Sequence, residues 1–358
     1  MEKKMKNNRL FMDVHILQSL PPSNVNRDDT GSPKSAQYGG VKRARVSSQS
    51  WKRAMRKYFY ENTENELLGK RTYEVGKYIA EKVVEIDPSL EKTALKLVIK
   101  SLKDVITLNK EGKTSALFFI GNAQAKQIAQ YCVDGKEDKQ FLMDIFKNNT
   151  AIDVALFGRM LAGKNEFTIE ASSQVAHAIS THSIETEYDY FTAVDEINEE
   201  NSTGAGMIGT IEFNSATYYR YANIAIHDFI NQIKSKEDAL NAIGLYLKAF
   251  ALSLPSGKIN TFANDTIPGM IIITFRDDRP VNLVSGFENP VSSKEGYLVK
   301  SQERLIKEFN KISKMVNKPK STFVLDMNNI NVEDLDSISE DNLNDLVSDI
   351  KNVLDDYM

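Results

Sequence analysis

Residues 14–57 read VHILQSLPPSNVNRDDTGSPKSAQYGGVKRARVSSQSWKRAMRK, and this stretch decides the fold. Its opening belongs to a β-rich, partly alternating segment, 10–18, which predicts a first strand. Residues 19–40 gather Pro21, Pro22, Asn24, Asn26, Asp28, Asp29, Gly31, Pro33, Gly39 and Gly40, the chemistry of a long loop of the kind that carries function. Residues 41–47 alternate again as a short strand. Ser48 then stands where a helix N-cap belongs. Beyond it Trp51, Ala54, Met55, Tyr58 and Phe59 recur at helical spacing, while Lys52, Arg53, Arg56 and Lys57 fall off that stripe. The helix is therefore expected to bury an aromatic face and offer a basic one.

The positive charge is local. Residues 1–57 hold 13 Lys or Arg against 4 Asp or Glu, a net of +9, whereas the whole chain sums to −4. A cationic head on an acidic protein asks for an anionic partner, and phosphate is the obvious one. Residues 332–358 invert the balance with 9 Asp or Glu and one Lys. There Leu343, Leu346, Val347, Ile350 and Leu354 keep helical spacing, so the tail reads as an acidic amphipathic helix. With 41% hydrophobic and 26% charged residues the chain belongs with globular proteins, and its apolar runs are too short for a membrane span. A single cysteine, Cys132, excludes an intrachain disulfide and a multi-cysteine metal site. MEKKMKNNR has no apolar core of a secretory signal, so a cytoplasmic protein is expected.

Between head and tail the pattern changes twice. Segments 72–86, 89–106, 113–133 and 138–147 have helical periodicity, and 170–182 also reads as helix. Residues 184–223 have strand-rich ends around an acidic, Gly-rich middle, the pattern of two strands joined by a long tip. A helix over 236–253, a Gly/Asn loop and the strand MIIITF follow. The order fits an α+β core of ferredoxin-like type carrying insertions.

The chemistry legible in these residues is phosphate binding. Ser47, Ser48, Gln49 and Ser50 open a helix, where free backbone N–H groups and the dipole favour an anion. Lys52, Arg53 and Arg56 lie on the next turns, and Arg27, Lys34, Lys42 and Arg45 precede them. Such contacts hold a nucleic-acid backbone without reading its sequence. Tyr188, Tyr190, Phe191, Met207, Ile208 and Phe213 in the excursion, and Met160 after Gly158-Arg159, are candidates to stack on or wedge between bases. Two catalytic alternatives stand beside this. Asp28-Asp29 offers carboxylates for Mg²⁺, and His15 offers a general base on RNA. The bland readings are a turn-forming Asp pair and a structural histidine. No Walker or dinucleotide fingerprint occurs, and no cofactor is expected.

Six segments together resemble one family: HILQSLPPSNVNRDDTG (15–31), YGGVKRARVSSQSWKRAMR (38–56), DVALFGRM (153–160), QVAHAISTH (174–182), DYFTAVDE (189–196) and GTIEFNSATYYRYANI (209–224). They are similar to the CasC family, the crRNA-binding backbone subunits of the type I-E CRISPR surveillance complex, Cascade. The resemblance implies a modified ferredoxin-like, RNA-recognition palm of the RAMP superfamily. It implies palm at 1–58 and 219–358, helical fingers at 59–182 and a β-hairpin thumb at 183–218. It further implies a non-catalytic protein that polymerises along guide RNA, typically in six copies, displacing every sixth base so that the others pair with target DNA. Its partners would be crRNA, target DNA through the guide duplex, further copies of itself and other Cascade subunits, with no membrane involved. Carried onto this sequence, phosphate contacts fall on Arg27, Lys34, Ser47, Gln49, Lys52, Arg53 and Arg56, and the base wedge on Met160 beside Arg159. Thumb contacts fall on Phe191, Thr192, Val194, Met207 and Ile208. The rivals are a RAMP-type RNA endonuclease using His15 or Asp28 and a sequence-independent single-strand-binding protein.

Overall fold

The first strand, β1 (Phe11–Ser23), runs straight through the Pro21-Pro22 pair where a loop is expected. Its ladder with β10 (Met270–Arg276) covers Phe11 to Leu17, so the two prolines lie past that ladder, near the end of the strand. The computed structural model describes residues 9–148, 150–160, 167–193, 207–233 and 235–357.

After β1 come β2 (Ser35–Tyr38), β3 (Val41–Val46) and α1 (Ser48–Asn62). Then follow β4 (Gly69–Thr72), α2 (Val75–Ile86), α3 (Ala94–Leu102), β5 (Phe118–Gly121), α4 (Asn122–Val133), α5 (Lys139–Lys147) and α6 (Ile152–Phe157). Next are β6 (Ser173–Val175), β7 (Ala178–Ser180), β8 (Glu187–Ala193) and β9 (Met207–Ala225). The chain ends with α7 (Ile226–Ile233), α8 (Lys236–Leu252), α9 (Ile259–Phe262), β10 (Met270–Arg276), α10 (Leu298–Ile312), β11 (Ser321–Asp326), β12 (Ile338–Ser339) and α11 (Leu343–Tyr357).

Two compact units emerge, each assembled from separated segments. The first comprises 1–55, 175–223 and 247–350; the second comprises 56–174, 224–246 and 351–358.

In the first unit one sheet runs β12-β11-β10-β1-β9-β7-β3-β2, with β8 also paired to β9. β1 is antiparallel to β10 and β10 to β11, so β10 and β11, joined through α10, are direct neighbours. A strict ferredoxin-like unit separates strands joined by a crossover helix; the α+β expectation therefore holds at the level of a large sheet with helices. Leu17, Met270, Ile272 and Val324 pack beneath Leu305, Ile306 and Phe309 of α10.

The second unit has its own core, in which Val75, Ile79, Val83, Val98, Ile128, Phe146 and Phe167 are buried. Here the helical expectation is trimmed. β4 and β5 form a two-stranded ladder, Gly69↔Gly121 to Thr72↔Phe118, so the segment expected as helix from residue 113 enters α4 only at Asn122. The segment 89–106 yields α3 over nine residues after a short 3₁₀ turn.

The expected helix at 170–182 is instead β6 and β7. Long-range pairing overrides local periodicity, because β9 supplies a ladder to β7 (Ile179↔Tyr219, Ser180↔Tyr218). The helix start also shifts by one residue: Ser47 is the cap, its Oγ accepting from Ser50 N–H at 3.3 Å. The expected tail helix is α11, with Leu346, Val347, Ile350 and Leu354 buried.

Candidate nucleic-acid interface

The loop that follows β1 is held closed by its own short polar side chains. Asp28 Oδ1 accepts from Thr30 N–H (2.9 Å), Thr30 Oγ1–H (2.7 Å) and Ser32 N–H (3.1 Å). These bonds, that from the Thr30 hydroxyl foremost, lower the Asp28 pKa. Asp28 is thus a turn-forming carboxylate, and among the described residues no group of His, Cys, Asp and Glu is arranged to hold a metal. Asn26 fastens the loop to the helix that follows: its carbonyl accepts from Lys34 N–H at 2.8 Å, and its Oδ1 accepts from Ser47 N–H at 2.8 Å. Sequence reasoning counted Asn26 only as loop composition. Its role depends on a contact across 21 positions that no local signal announces. Arg27 is left exposed and Lys34 half-buried.

Strand β3 divides the basic run. Lys42 is exposed, its Nζ donating to Thr186 Oγ1 at 2.9 Å. Arg43 is fully buried and donates to the carbonyls of Tyr38 (3.2 Å), Ser180 (3.0 Å), Phe287 (2.8 Å) and Glu288 (3.1 Å). Arg45 is half-buried, donating from Nε to the Ser35 carbonyl at 3.2 Å and meeting His177 Nδ1 at 3.0 Å. Adjacent arginines therefore do different work, one knitting the sheet and one half-open to solvent.

Helix α1 keeps the expected two faces. Trp51, Met55 and Phe59 are buried, Gln49 and Arg53 are exposed, and Lys52 is half-buried. The Arg220 guanidinium lies 3.7 Å from the centre of the Trp51 ring and 4.7 Å from that of Phe250, and donates to Gln18 Oε1 and the Phe250 carbonyl. Arg56 turns inward: its Nε donates to Asp153 Oδ2 at 3.0 Å and its Nη2 to the Gly69 carbonyl at 3.3 Å. Ser47 is buried, leaving its backbone and cap role as what it contributes.

Arg159 requires correction as a ligand-binding side chain. It is 3% exposed, and its guanidinium donates to the carbonyls of Phe167 (2.9 Å), Phe119 (3.1 Å) and Phe146 (2.9 Å). Burial pushes its pKa down to about 10. Its neighbour Met160 is 86% exposed, following Gly158 at φ +79°.

The excursion is a hairpin, β8 against β9, paired from Glu187↔Phe213 to Ala193↔Met207. Phe191 is half-buried over Gly209, where a Cβ would lie 2.3 Å from the ring. Thr192 is exposed and faces Ile208 in the ladder. Tyr188 and Tyr190 are exposed on the same face as Thr192. Val194 lies outside the described residues.

His15 is buried, at 2% exposure. Its Nδ1 lies 2.8 Å from the Tyr219 hydroxyl, and its ring stacks on Tyr221 at 5.2 Å. Burial, reinforced by Arg276, lowers its pKa to about 3. Beside it Tyr221 donates to Asp13 Oδ1 at 2.7 Å and Val281 N–H to Asp13 Oδ2 at 3.0 Å. Desolvation raises the Asp13 pKa to about 7 against these bonds. His182 stacks on Tyr297 at 3.6 Å, donates from Nδ1 to the Ser183 carbonyl and accepts from Thr217 N–H at Nε2, so it too is a structural imidazole.

No described helix is long and apolar enough to cross a membrane. A search of curated proteins found no match. Among solved structures the chain is similar to a chain described as "CRISPR RNA-guided surveillance complex, pre-nicking", with 28% identity and a TM-score of 0.84 over 96% of this chain and 100% of that one. It is also similar to a chain of a "CRISPR RNA-guided surveillance complex", with 26% identity and a TM-score of 0.65 over 96% and 99%. A family profile described as CT1975-like protein matches residues 12–349, nearly the whole sequence, and the chain belongs to that family.

Proposed function

We propose that this protein is a crRNA-binding backbone subunit of a CRISPR Cascade complex, of type I-E, and has no catalytic role of its own. In this reading the sheet unit is a modified RNA-recognition palm, the helical segments are fingers, and the β8–β9 hairpin is a thumb. Copies line up along one guide strand. Arg27, Lys34, Lys42, Arg45, Lys52 and Arg53 meet its phosphates, with Gln49 and the start of α1, while Met160 and the thumb displace periodic bases. The bases between stay free to pair with target DNA.

The observation that supports this most strongly is the likeness, along 96% of the chain, to a chain of an RNA-guided surveillance complex. The open cations along one loop, strand and helix fit a ligand gripped by its backbone. Burial of His15 and the turn hydrogen bonds of Asp28 favour this reading over the endonuclease alternative.

The test is co-expression with a guide precursor and the other subunits, followed by recovery of particles and chemical probing of the guide. The expected result is co-purifying guide whose bases are reactive at a regular interval, with the interval lost in Met160→Ala. Particles that form without guide, or an aperiodic pattern, would overturn the backbone role. Cleavage of the precursor by the isolated chain, abolished by His15→Ala, would restore the endonuclease reading.

A further inference from the structure

Helix α10 carries a second cationic surface, across the sheet from Trp51 and the start of α1. Neighbouring side chains along a strand point to opposite faces. Leu17 and Tyr219 share a core with Leu305 and Phe309 of α10. Gln18 and Arg220, one residue on, meet each other on the face where Arg220 stacks on Trp51. Residues 298–320 hold seven Lys or Arg against two Glu, in a chain whose net charge is −4. Lys300, Arg304, Lys307 and Lys311 recur at i, i+4, i+7 and i+11, a stripe on the side of the helix away from the buried Leu305 and Phe309. Lys314 extends it just past the helix end. Arg304 donates to the Asn289 carbonyl and Lys311 pairs with Glu308 at 3.2 Å. Lys300, Lys307 and Lys314 are exposed, and among the described residues they have no ion pair.

Helix α11 has the opposite charge. Asp345, Asp349 and Asp356 recur at i, i+4 and i+11 on the side away from the buried Leu346, Ile350 and Leu354, and Asp341 stands just before the helix. Beside them Glu340 Oε1 is buried without a hydrogen-bond partner. Desolvation, and then the charges of Asp349 and Asp345, raise the Glu340 pKa. A cation brought to this end would relieve both effects. Lys300 to Lys311 and Asp345 to Asp356 are equal runs of helix, each about 16 Å long.

We propose that α10 of one copy docks along α11 of a second copy, lysines against aspartates. The inference rests on the reading above that copies line up on a guide strand, and it adds a protein contact that leaves the guide surface on α1 free. A second copy suits the stripe better than a further nucleic-acid strand does. Asp334 and Asp336 line the same cleft, of about 300 Å³, as Lys318 and Lys320 beyond the end of α10. Carboxylates there repel a phosphodiester chain, whereas a protein surface bearing both charges accommodates them. Exposed ion pairs are individually weak, so the contact acts between copies that a guide already holds side by side, where it fixes their register.

The experiment uses guide-loaded particles co-assembled from light and heavy-nitrogen chains, treated with a zero-length carbodiimide that joins lysine to carboxylate only where the two touch. Peptide mass spectrometry should find mixed-isotope cross-links between α10 peptides bearing Lys300 or Lys314 and tail peptides bearing Asp341 or Asp345. Normalised to the guide retained, their yield should fall at least about fivefold in Lys307→Glu/Lys311→Glu, which replaces two attractions by repulsions. Guide retention itself should be unchanged. Co-assembly of that variant with Asp341→Lys/Asp345→Lys chains should restore mixed-isotope cross-linking between the two helices, which a misfolded variant could not do. Guide-loaded particles with same-isotope products only, or with a yield indifferent to the charge reversal, overturn the contact alone. So does ultraviolet cross-linking of the α10 peptides to a nucleic-acid strand in place of the tail. Wild-type chains that gather no guide overturn the underlying reading and the contact with it.

Discussion

Substituting two arginines ten residues apart should separate binding from folding. Six of the predicted phosphate contacts lie in the first unit and remain open or half-open to solvent: Arg27, Lys34, Lys42, Arg45, Lys52 and Arg53. Each phosphate neutralised on a single strand contributes roughly −0.7 to the slope of log affinity against log salt, so six would give a slope near −4. Between 50 and 200 mM salt one such contact is worth a factor of about 2.6, and all six together about 300. Arg53→Ala should therefore shallow the slope by about 0.7 and do so equally for two guides of unrelated sequence. It should shift stability by less than about 0.5 kcal/mol, because Arg53 is exposed on the helix. Arg43→Met should do the reverse. It strips four backbone carbonyls of their donor inside the sheet, at a cost of about 3–5 kcal/mol, and leaves the salt slope of the folded fraction unchanged. Fluorescence anisotropy across the salt series and urea unfolding of both variants measure the two quantities. An Arg53→Ala protein with the wild-type slope, or an Arg43→Met protein of wild-type stability, refutes this division of labour.

Two further predictions concern the same unit. Asp13 has its pKa raised to about 7, so its stabilising protonated form is complete below the unfolded carboxylate range and lost as pH rises through about 7. His15, lowered to about 3, works in the opposite sense: its stabilising neutral form is complete above the unfolded imidazole range and lost as pH falls through about 3. Between about pH 4 and 6.5 the two offset each other, so Asp13→Asn should expose the histidine limb. Urea unfolding should find the difference between variant and wild type moving in the variant's favour from about pH 4 to 7 and constant above; a pH-independent difference would mean that Asp13 stays ionised throughout. Gly39 adopts φ +61°, and a Cβ there would lie 1.6 Å from the Glu288 carbonyl oxygen. Gly39→Ala should cost roughly 3 kcal/mol or more, and unchanged stability in the same assay would show that this close approach is not kept.

What could be read in advance divides along physical lines. The stripe of Trp51, Met55 and Phe59 was legible because helical burial repeats at short range, and the tail helix for the same reason. The hairpin was legible from two strand-like ends around a polar tip. The strands at Ser173–Val175 and Ala178–Ser180 were not, since their partner lies some forty residues later in β9. The basic run gave the location of the cationic surface, yet charge alone cannot say which arginine points outward. Arg43 and Arg159 are spent on carbonyls contributed by distant segments.

The sandwich of Trp51, Arg220 and Phe250 has a consequence for how cheaply the head can grip. It moors the first turns of α1 to the strand beneath, so the backbone carrying Gln49 and Arg53 is ordered before any ligand arrives. A partner then immobilises only side-chain rotamers, about 0.5–1.5 kcal/mol each, and is spared the further 1–2 kcal/mol or so per residue of freezing a floppy main chain. A handle stiffened in this way presents the same spacing of charges to whatever stretch of polymer slides under it, like the fixed teeth of a comb.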